Sequence, residues 1–266
     1  MQFNPIEVVN NLTNLTFFSK KAIKIKNLSG AIVIKIDIFA DLLIFHSKLE
    51  ENQSQEVTIM VEGGPILLDR DYTLIIDKSG SMSTTDQVGG KTRWNAVQES
   101  TLALARKCEE LDPDGITVYL FSGRFRRYDN VTASKVAQVF QENEPMGRTD
   151  LAGVLQDALD NYFQRKAAGQ TKANGEIILV ITDGEPDDRK AVMRLIIDAS
   201  RRLDRDEELA ISLIQVGKDS LATQFLKVLD EQLQEAGAKF DIVDTLTVDD
   251  MEDFTLSEVL LKAIQD

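Results

Sequence analysis

Two stretches of this chain, Tyr72-Thr73-Leu74-Ile75-Ile76 and Ile177-Ile178-Leu179-Val180-Ile181, are almost wholly apolar, and each runs into an aspartate within two residues. Short runs without polar alternation read as strands buried on both faces, and such strands belong to parallel sheets covered by helices on either side. The intervening segments fit that arrangement. Residues 92–111 carry Trp94, Val97, Thr101, Leu104, Cys108 and Leu111 at helical spacing and stop at Asp112-Pro113-Asp114-Gly115. Residues 150–166 place Leu151, Val154, Leu155, Ala158, Leu159 and Tyr162 on one face.

The same reading predicts strands at 72–77, 116–122, 176–182, 209–216 and 239–246, with a short edge strand at 126–131. Further helices are expected at 132–140, after a cap at Asp187 or Asp188, at 220–236 and at 257–264. From about Asp69 onward the chain is therefore expected to be one doubly wound α/β domain, mostly parallel, with helices on both faces (Rossmann-like).

Residues 1–65 lack this rhythm, so the chain divides into an N-terminal extension, 1–65, and the α/β domain, 66–266. Strand-like stretches at 22–25, 31–40 and 57–61 fit a small β-rich appendage, and Gly63-Gly64-Pro65 reads as a linker. Two other readings stand beside it: an irregular extension without its own core, or translation that begins at Met60.

Composition removes several classes of function. A formal net charge of -14 argues against nucleic acid or an anionic membrane as partner, since both reward a basic surface. Cys108 is the single cysteine and His46 the single histidine, which excludes an intrachain disulfide, Cys/His zinc sites and histidine-based triads. On its helical stripe Cys108 reads as a core residue. The start of the chain has no basic segment followed by an apolar core, and the longest apolar stretch, 31–45, is interrupted by Lys35, Asp37 and Asp41. A cytoplasmic location is the expectation.

Chemistry gathers at the strand ends. Asp77-Lys78-Ser79-Gly80-Ser81 supplies oxygen ligands after the first apolar strand, with Gly80 easing a sharp turn. Gly147-Arg148-Thr149-Asp150 offers a hydroxyl at a helix start, and Thr182-Asp183-Gly184 offers a carboxylate after the other strand. A small hard divalent cation takes oxygen ligands in octahedral geometry, and the ends of parallel strands at a switch point form a crevice where such groups meet.

Asp77-x-Ser79-x-Ser81, then Thr149, then Asp183-Gly184 resembles the metal-ion-dependent adhesion site (MIDAS) of von Willebrand factor type A (VWA) domains, with all five positions filled by the expected residue types. The resemblance covers roughly residues 69–266. It implies that Ser79, Ser81 and Thr149 bind Mg2+ or Mn2+ directly, while Asp77 and Asp183 act largely through water. A non-enzymatic protein-interaction module follows, in which the metal engages an Asp or Glu of a partner protein, as adaptor or regulatory subunit. Intracellular bacterial relatives accompany AAA+ ATPases or stress-response systems, which makes such assemblies candidate partners. Arg148, beside Thr149, is a candidate for orienting the partner's carboxylate. Arg124, Arg126 and Arg127 either share that role or guard a sheet edge.

Two alternatives stay in view. A purely structural metal would stiffen three loops without binding a partner. A P-loop NTPase is suggested by Thr85-Asp86-Gln87-Val88-Gly89-Gly90-Lys91-Thr92, a near match to G-x-x-x-x-G-K-T. Thr85 stands where the first glycine belongs, however, and the preceding strand ends at Asp77, too far upstream to lead straight into a phosphate cradle. An aspartyl-nucleophile phosphatase would need its second aspartate where Ser79 stands.

Overall fold

A computed structural model describes residues 24–28, 31–35, 64–249 and 256–265. The chain forms two compact units, Met1–Val61 and Glu62–Asp266. Among the described residues, the first unit holds an antiparallel pair, β1 (Lys24–Leu28) and β2 (Ala31–Lys35), in the register Lys24 to Lys35. The expected strand at 57–61 lies outside the described residues.

The second unit is a six-stranded sheet in the order β5-β4-β3-β6-β7-β8. Its strands are β3 (Asp71–Asp77), β4 (Ile116–Phe121), β5 (Phe125–Val131), β6 (Glu176–Thr182), β7 (Leu209–Gln215) and β8 (Val243–Thr247). All pairs are parallel except β4 with β5, so the fold is a mostly parallel, Rossmann-like α/β architecture. β6 and β7 are buried along their whole length, which is why their sequences do not alternate.

Helices cover both faces. A short α1 (Gly64–Leu67) leads into β3. On one side lie α2 (Arg93–Leu111), α3 (Ala133–Glu142) and α7 (Leu256–Gln265), packing Trp94, Val97, Leu104, Cys108 and Phe140 on Leu74, Ile76, Leu120 and Leu179. On the other lie α4 (Leu151–Ala167), α5 (Arg189–Arg201) and α6 (Ser220–Glu231), packing Leu155, Leu159, Ile196 and Phe225 on Ile75, Tyr119, Ile178 and Leu213. Trp94 meets Phe140 with ring centroids 4.5 Å apart. Thr92, Asp150, Asp188 and Asp219 cap α2, α4, α5 and α6 through side-chain oxygens that accept first-turn N–H groups.

Two elements differ from the sequence pattern. α6 ends at Glu231 instead of continuing to residue 236, because the chain tightens into turns closed by Gly237 at a φ of 104°. Leu233 stays buried there, so the apolar spacing outlasts the helix. β8 starts at Val243 because residue 239 is tied elsewhere: its N–H donates to Ser200 Oγ and its Nζ to the Leu203 carbonyl.

The sheet order fixes where a site can form. The crossover from β3 leads to β4 on one side, while β6 pairs with β3 on the other, Ile76 opposite Ile181. Their carboxyl ends, Asp77 and Thr182-Asp183, flank the switch point.

Candidate metal centre

Asp77 closes β3 and is fully buried. Its Oδ1 accepts the Ser79 N–H at 2.6 Å and its Oδ2 accepts the Thr182 hydroxyl at 2.7 Å. Burial pushes its carboxyl up to about 6; these two hydrogen bonds pull the other way, and the nearby charge of Asp183 adds to the rise. Among the described residues no cationic side chain pairs with Asp77.

After β3 the chain enters a 3₁₀ turn, Gly80–Ser83, which brings the Ser79 and Ser81 hydroxyls within 2.9 Å of each other. Ser81 Oγ donates to Asp183 Oδ1 at 2.8 Å. A serine hydroxyl has one proton, so with Ser81 committed to Asp183 the serine pair is bridged by the Ser79 proton. The order Ser79 to Ser81 to Asp183 leaves the lone pairs of Ser79 Oγ uncommitted within this cluster.

Thr149 is buried, at 8% exposure, on the loop that precedes α4. That loop is stitched to the first one by Met146 N–H to the Lys78 carbonyl (2.7 Å) and Gly80 N–H to the Gly147 carbonyl (3.0 Å). It is joined to the loop after β6 by Asp187 N–H to the Thr149 carbonyl at 3.0 Å, and to the β4 end by Asp150 N–H to the Ser122 carbonyl at 3.0 Å. A Cβ on Gly147, at φ 92°, would come within 3.2 Å of Ser122 Oγ, so the approach of these loops suits glycine there.

The structure thus joins Ser79, Ser81 and Asp183 by side-chain hydrogen bonds, attaches Asp77 through Thr182 and the Ser79 amide, and holds the Thr149 loop against both neighbours. Among the described residues no group of three or more Asp, Glu, His or Cys side chains is placed to hold a metal. The hydrogen-bonded cluster instead offers two hydroxyls and two buried carboxylates that repel each other, and Thr149 on the adjoining loop would add a third hydroxyl. Hard oxygen donors around the uncompensated Asp77 carboxylate fit a magnesium-like cation, and Ser79, Ser81, Thr149, Asp77 and Asp183 are the residues that would hold it.

Two contributors are not evident from motif spacing. Thr182 holds Asp77, and its place directly before Asp183 at a strand end is the available sequence signal. Arg93 Nη1 donates to Asp183 Oδ2 at 2.9 Å, a pairing across 90 residues that no local pattern announces. The same guanidinium grips Asp86 and holds that carboxyl down to about 2.

The basic residues divide by position. Arg148 is 75% exposed and meets Asp187 at 3.5 Å, a contact too long for a strong hydrogen bond. Arg127 pairs with Asp129 and lies over the Tyr119 ring, and Arg126 is exposed on the edge strand β5, as edge protection requires. Asp188 caps α5, and Glu185 pairs with Arg189.

The segment resembling a P-loop does not join strand to helix. Residues 84–92 run outward after the 3₁₀ turn, fold back through a bridge between Gln87 and Lys91, and leave Val88 95% exposed. A phosphate cradle needs a glycine-rich turn directly between strand and helix.

Among the described residues no helix is long and apolar enough to cross a membrane. A search of curated proteins finds no match. Among solved structures, a mutant of the PilB minor pilin from Streptococcus sanguinis is similar with a TM-score of 0.51 at 13% identity, over 72% of this chain and 60% of the pilin chain. Manganese-loaded TRAP protein from Plasmodium vivax gives a TM-score of 0.45 at 17% identity, over 69% of this chain and 70% of that one. At 13% identity the likeness to the pilin speaks for fold alone. Residues 72–185 match the family model described as von Willebrand factor type A domain, a span that contains Asp77, Ser79, Ser81, Thr149 and Asp183.

Proposed function

We propose, taking residues 72–185 as a von Willebrand factor type A domain, that this protein is a non-enzymatic interaction module that binds Mg2+ or Mn2+ at a complete MIDAS and through it engages an acidic side chain of a partner protein. The observation that carries the reading is the cluster itself. Ser79, Ser81 and Asp183 oxygens lie 2.8 to 2.9 Å apart in sequence along one chain of hydrogen bonds, beside the fully buried Asp77.

A cation bound there supplies a Lewis-acidic point that accepts a partner's carboxylate. The protein's residues set its character. Neutral hydroxyls from Ser79, Ser81 and Thr149 leave the positive charge incompletely balanced, while buried Asp183 orients the Ser81 hydroxyl and buried Asp77 holds the Ser79 backbone amide. Arg148, exposed beside Thr149 and weakly held by Asp187, would meet the partner's acid. On this reading the module acts by binding, as adaptor or regulatory subunit, and an AAA+ ATPase or stress-response complex is the kind of assembly it would serve.

Capture from native extract tests this reading. The chain with magnesium should retain a partner that EDTA releases and that Asp77→Ala or Ser79→Ala fails to hold. Retention that ignores both EDTA and the variants would refute metal-bridged binding. A cation-dependent melting temperature without any cation-dependent partner would instead favour a structural metal.

A further inference from the structure

The motif-like segment 84–92 has a place of its own beside the cluster. Its two ends are clamped together, since the Arg93 N–H donates to the Thr84 carbonyl at 3.0 Å and the Thr84 N–H to the Ser81 carbonyl at 2.9 Å. Between them the chain projects outward, with Gly89 and Gly90 at φ 76° and 69° and open space around both. Asp86, on the outgoing limb, is held by a fork: Arg93 Nε lies 3.1 Å from Oδ1 and 3.0 Å from Oδ2, and Nη2 lies 2.6 Å from Oδ2. The remaining nitrogen, Nη1, reaches Asp183 Oδ2 at 2.9 Å. The turn after β7 closes the other flank, because a Cβ on Gly217 would sit 2.9 Å from Arg93 Nε. One half-buried guanidinium therefore joins a cluster carboxylate to an exposed loop.

We propose that Arg93 is an internal counter-cation of the candidate metal centre, shared between Asp183 and Asp86, and that it couples cation loading to the 84–92 loop. This rests on the cation-binding reading above. Asp183 offers Oδ1 to Ser81 and Oδ2 to Arg93, so its charge is already partly neutralised. A divalent ion at the cluster draws on the same carboxylate and repels the guanidinium. The fork to Asp86 gives the displaced charge somewhere to go. Arg93 then moves with the loop that Asp86 belongs to, and Val88 at its tip moves too. Arg93 is thus a positioning residue that lowers cation affinity and reports occupancy to the rim. A plain structural ion pair at the start of α2 would do neither.

Calorimetric titration of the full chain with Mn2+, paired with hydrogen exchange of the loop amides, separates these roles. Arg93→Gln removes the competing charge and should tighten Mn2+ binding by roughly three- to tenfold. Asp86→Asn leaves Arg93 entirely on Asp183 and should weaken it by roughly threefold. The double variant should match Arg93→Gln, since Asp86 acts only through the arginine. In the parent chain, Mn2+ should change exchange at Gln87 and Gly90, whose amides bond to Lys91 and Gln87 carbonyls, and in Arg93→Gln it should not. Asp86→Asn lies on an exposed loop and keeps the test open if Arg93→Gln does not fold. Mn2+ binding by the parent chain with an unaltered loop, or with additive effects of the two substitutions, would overturn this inference alone. No binding at all would overturn both it and the cation reading.

Discussion

Replacing Asp77 by asparagine should stabilise the metal-free protein and abolish its response to magnesium. Asp77 is fully buried and unpaired by any cation among the described residues, and holding its carboxyl at about 6 instead of 3.8 disfavours the ionised form by about 3 kcal/mol at neutral pH. Asparagine keeps the shape. Its carbonyl can accept the Ser79 N–H, and its amide can donate to the Thr182 hydroxyl once that rotor turns. Some of the relief is lost in burying the amide, so a gain of about 1–3 kcal/mol at pH 7 is expected. For a domain of this size each kcal/mol moves the melting temperature by about 2–4 °C. The sign depends on pH in a definite way. A buried acid with a raised pKa binds a proton in the folded state before the unfolded chain does, so metal-free Asp77 protein regains stability as pH falls from about 6 toward 3.8. The advantage of Asp77→Asn should therefore be full at pH 7 and nearly gone at pH 4. Urea denaturation in EDTA at both values, repeated with magnesium at pH 7, measures all three quantities. A variant less stable than its parent in EDTA at pH 7, or one that still gains stability from magnesium, would show that Asp77 is not an uncompensated cluster carboxylate.

Other substitutions test separate links. Thr149→Val keeps the β-branched shape while removing the hydroxyl; it should abolish most of the magnesium-induced rise in melting temperature and change metal-free stability by less than about 1 kcal/mol. Arg148→Glu should reduce partner capture severalfold with cation affinity within about twofold of the parent, because the side chain is exposed and its ion-pair partner among the described residues is Asp187. Cys108 is fully buried with its thiol pushed well up by burial, so a thiol reagent at pH 8 should label it only at the rate of unfolding.

Much of this architecture is legible in the chain because it depends on local patterning. Glu176–Thr182 is apolar for the same reason that it is buried on both faces, and Thr92, Asp150 and Asp188 occupy cap positions that a reader of residue types can mark. Asp77, Ser79, Ser81 and Asp183, which hydrogen bonds bring together, are also marked by position, since each closes or follows a buried strand. What escapes is reach. Arg93 lies in the first turn of α2 and spans to Asp183 and back to Asp86, a geometry set by the length of its side chain and by the glycine turn at Gly217. The end of α6 escapes for a different reason: Leu233 remains in the core after the helix has stopped, so burial and helicity part company there.

The central claim is that oxygens from three loops form one cation site. Calorimetric titration of the chain with Mn2+, in parallel with Ser79→Ala and Asp183→Ala, tests it most directly. One ion bound per chain, removable by EDTA and lost in both variants, is the predicted result. No binding by the parent chain, or binding that survives both substitutions unchanged, would contradict it.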